Sequence, residues 1–141
     1  MKIKRLHAFF FLLIFASLLF ISINDVVGIL ESYTLSKNKI VISGEINDAS
    51  TFAFSWSMFV MSILMSICFF TGKKLLWLPK LVLILLGVIT VLAFFFGWGI
   101  NMTLKEKLYE EGYIECQSER ELTLKYSSRT YVIDPKLCPN G

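Results

Sequence analysis

Two stretches of this chain, residues 49–72 and 81–104, each run for 24 positions without a charged residue. A helix rises about 1.5 Å per residue, so either stretch can cross a hydrocarbon core about 30 Å thick. The link between them is short and holds Lys73, Lys74, Pro79 and Lys80. This pattern predicts a tight helical hairpin in a bilayer. Charged residues make up 18% of the chain, against about 25% in a soluble domain, and they are segregated rather than spread. The class is therefore an α-helical integral membrane protein. The net charge of +3 is divided between separate segments, so no nucleic-acid footprint is expected.

A third apolar run, residues 8–24, follows Lys2, Lys4 and Arg5. It reads either as a secretory signal or as an uncleaved span. The residues after it, Ser22, Ile23, Asn24 and Asp25, do not form the small-residue pattern of a cleavage site, which favours the span. The layout is then a basic N-terminus and first span (1–24), a loop (25–50), a second span (51–71), a link (72–80), a third span (81–100) and a tail (101–141). Within the loop, Val26, Val27 and Leu30 are spaced for a short surface helix, and residues 39–43 are β-branched and read as a strand.

Orientation follows from lysine and arginine. The N-terminus and the link carry three basic residues each, and the link has no acid. The loop has two basic residues against four acids, and the tail six against seven. The N-terminus and link are expected in the cytoplasm, the loop and tail outside.

Within the spans, Ser55, Ser62 and Ser66 share one helical face, and Gly87, Thr90, Phe94 and Gly97 share another. Small and hydroxylated residues on such faces are expected to form helix-packing seams; a transport path is the other use of the serines. Met58, Met61 and Met65 form a further stripe that suits adaptable packing rather than a metal route. Cys68 is expected to act as a small hydrophobe, and His7 to be solvated at the interface. Trp56 and Trp98 fall near one interface and Trp77 near the other, as in an aromatic belt. No ionisable residue lies inside a span, which argues against a proton-coupled pump.

The tail keeps helical character to Glu111, and Gly112 suits a helix C-terminus. Tyr113 to Cys116 reads as a short strand. Residues 122–126 and 129–133 read as a hairpin with Ser127 and Ser128 at its turn. Residues 39–43 supply a further strand, because an isolated hairpin is marginal. Cys116 and Cys138 bracket the hairpin. In an oxidising compartment they should close a disulfide; a redox-active pair is the alternative, without the usual C-x-x-C spacing. Asn101 and Thr103 match a glycosylation pattern at the membrane edge, where modification is sterically disfavoured.

Gly112, Tyr113 and Cys116, with Tyr131, Val132, Leu137 and Cys138, make an ending of the form GYxxC…YV…LC. In this the chain resembles an uncharacterised family of small bacterial inner-membrane proteins with three spans, some of which are similar to toxin-immunity proteins. The resemblance implies the Cys116–Cys138 disulfide and a periplasmic tail. The expected function is a non-enzymatic binding protein, most specifically immunity against a toxin acting at the inner membrane or in the periplasm. The alternative is a structural or assembly subunit of an envelope complex. A thiol–quinone oxidoreductase using the cysteine pair is a third reading. The sequence carries no glycine-rich phosphate loop, zinc spacing or nucleophile–base pattern, so no cofactor or catalytic residue is expected. Membrane lipid and a protein are the expected partners. Tyr109, Tyr113, Tyr126, Arg129 and Tyr131 are the candidate contact residues; the small core of the tail is the other use of those tyrosines.

Overall fold

A computed structural model describes residues 4–32, 34, 37–73, 78–123 and 126–139. Lys2 of the basic N-terminus, Lys74 and Trp77 of the link, and Leu124 and Lys125 of the expected hairpin lie outside the described residues. The elements run α1 (Arg5–Ser32), β1 (Lys39–Ser43), α2 (Glu45–Thr71), α3 (Lys80–Glu110), β2 (Ile114–Leu122) and β3 (Ser127–Val132), with a 3-10 turn at Pro135–Leu137. All three α-helices are long and apolar enough to cross a membrane. α2 is the middle helix, packed by α1 and by α3.

The helices differ from expectation at their ends. α1 continues through Asp25 to Ser32, so the separate surface helix at Val26–Leu30 does not exist. An acid directly after an apolar run does not break a helix, and no proline follows to stop it. α2 begins at Glu45, and α3 runs on to Glu110 before a glycine stop. That stop is a Schellman motif. Gly112 takes φ 82°, its N–H donates to the Tyr109 carbonyl at 3.2 Å, and the Tyr113 N–H donates to the Leu108 carbonyl at 3.0 Å. Leu108 and Tyr113, the two residues such a motif brings together, are both in the core.

The three strands form an antiparallel sheet in the order β1-β3-β2. The expected strand at 39–43 is therefore present, seated on β3. The hairpin turn is displaced from Ser127 and Ser128, which are strand residues paired with β1 and β2. Thr123 closes the turn: its N–H and hydroxyl both donate to the Tyr126 carbonyl, at 2.8 and 2.7 Å, and its hydroxyl accepts from the Tyr126 N–H at 2.9 Å. A threonine side chain that mimics a backbone turn outweighs the serine pair. Between Cys116 and Glu121 the β2 register slips in a bulge.

The sheet lies on the extension of α3. Leu104 and Leu108 project from that helix into a core with Ile40, Ile42, Tyr113 and Tyr131. Cys116 and Cys138 are joined as a disulfide with Cα atoms 5.7 Å apart, and the Ser118 hydroxyl donates to the Pro139 carbonyl at 2.9 Å. The small module thus shares its core with a long helix instead of hanging from it.

Candidate functional site

β1 passes into α2 through one residue. Gly44 has φ −64° and ψ 156°, its N–H donates to the Ser127 carbonyl at 2.7 Å, and its carbonyl accepts from the Asp48 N–H at 3.1 Å. A Cβ at this position would run into the Ser127 hydroxyl and lie 3.3 Å from its Cβ, so an alanine here would make the Ser127 side chain turn aside. The first turn of α2 is thereby held against the sheet. It carries Glu45 and Asp48, where unpaired helix N–H groups favour negative charge.

Gly97, Asn101 and Lys105 lie on one stripe of α3 at four-residue spacing and face that turn. A Cβ on Gly97 would come within 2.9 Å of both the Ala49 Cα and the Asp48 carbonyl oxygen, and within 2.7 Å of Phe52. Asn101 is fully buried; its Nδ2 donates to Asp48 Oδ2 at 2.5 Å and to the Ser43 carbonyl at 2.9 Å. Lys105 Nζ pairs with the Glu45 carboxylate. One helix stripe therefore fixes α2, α3 and the end of β1 at successive turns.

The electrostatics of the two acids diverge. The Lys105 hydrogen bond holds Glu45 below the usual carboxylate range. Asp48 lies before the apolar 51–71 segment, and loss of water pushes its carboxyl up to about 6, against the opposing pull of the Asn101 amide and Lys105. On the sheet, burial pushes the Tyr131 phenol up to about 12, so it stays neutral near pH 7.

Asp48 lines a groove of about 720 Å³ between the ends of α1 and α2 and the edge of β1. Asn24, Asp25 and Ile29 come from α1, Val41 and Ser43 from β1, Ile46 and Asn47 from α2, and Tyr126 from the end of the hairpin turn. Tyr126 remains 44% exposed, with its phenol oxygen 3.4 Å from the Ser43 hydroxyl. Polar and apolar walls alternate around an open mouth, a lining that suits the anchor of a partner. Among the described residues no group of three or more His, Cys, Asp or Glu side chains could hold a metal ion.

The expected contact residues separate into two groups. Tyr113 and Tyr131 are buried in the core, Tyr113 donating to the Lys37 carbonyl at 2.9 Å. Tyr109 and Tyr126 are exposed, Tyr109 meeting the Tyr131 ring edge-on at 6.0 Å. Arg129 is half-buried, 3.8 Å from Glu115. The seam residues separate as well. Gly97 sits at a tight contact, whereas an added Cβ on Gly87 meets nothing within 4 Å. Ser62 and Ser66 hydrogen-bond within α2, each to the carbonyl four residues back at 2.8 Å, and Ser55 is half-buried. A hydroxyl that back-bonds to its own helix satisfies itself without a second helix.

Sequence reasoning missed Asp48, Asn101, Gly44 and the groove. One signal was present: Asn101 extends the stripe of Gly97 by one turn. Its burial also removes it as a glycosylation acceptor.

The fold and site define a class: three long apolar helices, with a disulfide-closed α/β module built onto one end and a polar groove beneath it. The chain belongs to the family described as a protein of unknown function (DUF1240), which matches residues 40–139. The matched segment holds the sheet but for Lys39, α2, α3, the Asp48–Asn101 pair and both disulfide cysteines; α1 lies outside it. No curated protein and no solved structure matches the chain.

Proposed function

We propose that this is a multi-pass protein of the bacterial inner membrane that binds a protein partner without catalysis. Its most specific role is immunity, the neutralisation of a toxin acting at that membrane or in the periplasm. The groove carries the reading. It is an open, half-polar recess with Tyr126 at its rim, walled by elements that Gly44, Asn101 and the disulfide hold fixed. A rigid recess with an exposed aromatic at its edge is the material of a protein-binding hot spot. The basic N-terminus and link support a cytoplasmic placement for that end, and the disulfide supports an oxidising compartment for the module.

The test is affinity capture of the full chain, in detergent, from cells that also express its genomic neighbours. A stoichiometric secreted or toxin-like partner is expected, harmful when expressed alone and harmless beside this chain. Tyr126→Ala should release it, with Tyr109→Ala as a probe of the α3 side. Capture of resident envelope proteins instead would replace immunity with the assembly-subunit role. A toxin-like partner retained by Tyr126→Ala would remove the groove as the contact.

A further inference from the structure

We infer that Asp48 and Asn101 form a buried carboxyl–amide pair that binds a proton and, when protonated, latches α2 to α3 beneath the module. The inference does not depend on immunity or on any protein partner. Asn101 is 0% exposed and Asp48 2%. Both hydrogens of the Asn101 Nδ2 are engaged, one by Asp48 Oδ2 and one by the Ser43 carbonyl. The Asn101 Oδ1 is buried and has no donor. A buried acceptor without a donor is destabilising, and native structures rarely tolerate one.

The carboxyl already in contact can supply that donor. A protonated carboxyl and a primary amide close a ring of two hydrogen bonds, N–H to C=O and O–H to C=O, and the first is in place. The proton comes from water in the groove that Asp48 lines and rests on the second carboxyl oxygen; no other bond is made or broken. The surrounding groups do not compensate the carboxylate fully. Lys105 of α3 is paired with Glu45. Glu45 on α2 and Asp25 of α1, which lines the same groove, add negative charge, and Tyr126 brings a phenol. Arg129 of β3 lies against Glu115. Burial raises the Asp48 pKa to about 6, in keeping with this balance. The protonated pair joins α2, α3 and the last carbonyl of β1 as a neutral unit. Loss of the proton loosens that joint and adds a negative charge to the groove wall.

The chain has three aspartates, Asp25, Asp48 and Asp134, so ¹³C-aspartate labelling of the intact protein in detergent micelles resolves the site. One carboxyl resonance should titrate with a midpoint near 6 and be missing from Asp48→Asn. That substitution places a permanent N–H donor opposite Asn101 Oδ1. It should hold the melting temperature constant from about pH 5 to about pH 8, while the melting temperature of the unmodified protein falls over the same interval. Absence of a resonance with that midpoint overturns the proposal, and this result stands even if Asp48→Asn does not fold. Persistence of the resonance in the variant, or a variant that melts with the same pH dependence as the parent, also overturns it.

Discussion

Gly87 and Gly97 share a face of α3 and mean opposite things. At Gly97 the α2 backbone is so close that any side chain would collide with Ala49 and the Asp48 carbonyl; at Gly87 the space is open. The tight end is the one that carries Asn101, Lys105, the glycine stop and the sheet. Toward the link, the hydroxyls of Ser62 and Ser66 stay with their own helix. A small residue in a long apolar helix marks a packing seam only where something brings the neighbouring backbone within reach. Here the one-residue passage through Gly44 sets that distance, because it holds the start of α2 against β3.

The two glycines give the largest contrast. Gly97→Val should cost about 1–3 kcal/mol or more, since two of its collisions are with α2 backbone that cannot turn aside. Gly87→Val should stay within about 0.5 kcal/mol, as for an exposed site. Thermal melting in one detergent measures both. Equal losses at the two positions would mean that α2 and α3 are in contact along their whole length.

The disulfide tests the same division from the module side. Closing a loop with a sequence separation of 22 is worth roughly 3 kcal/mol in the chain-entropy model. Cys116→Ser with Cys138→Ser should raise hydrogen exchange in β2 and β3. The helical signal from the link end of α2 and α3 should persist, because their apolar length does not depend on the sheet. Loss of both together would show that the module holds the helices in place, not the reverse.

Much of this architecture was legible in sequence where one physical rule dominates. Uncharged runs of sufficient length gave the three helices, β-branched residues gave β1, and Gly112 marked the stop of α3. The turn at Thr123 was missed because Ser127 and Ser128 look like turn residues until β1 and β2 engage them on either side. Tyr113 and Tyr131 could not be told from Tyr109 and Tyr126 by type, since only the packing of the sheet onto α3 decides which are covered. The groove needs three elements at once. Asp25 and Asp48 are far apart in sequence, and the extension of α1 past Asp25 is what brings them to one recess.

Acid separates the two carboxylates of the first α2 turn. Glu45 is held below its ordinary value, so its contribution is complete above about pH 4.5 and is lost as the pH falls through its folded value. Asp48 is raised, so its contribution runs the other way: complete below about pH 3.8, and lost as the pH rises through about 6. Melting temperature against pH should therefore pass through a maximum on the acid side of neutrality. Lys105→Met should weaken the acid limb and move the upper one to higher pH, because Lys105 also pulls the Asp48 carboxyl down. The change should be under about 1 kcal/mol, because the Glu45 side chain is 37% exposed and solvent screens the pair.

The smallest effect is expected at Ser62. Its hydroxyl donates to the Met58 carbonyl of its own helix at 2.8 Å, and the residue lines a recess with Leu19, Phe59 and Phe70. Ser62→Ala removes a bond that the helix does not need, so stability should change by less than about 0.5 kcal/mol. The same substitution also asks where recognition happens. If stability is unchanged and partner capture is unchanged, the link end of α2 is packing surface and the contact belongs to the groove. If stability is unchanged but capture falls, the serine face itself receives the partner. The tight end of the molecule would then serve to hold that face in position rather than to bind.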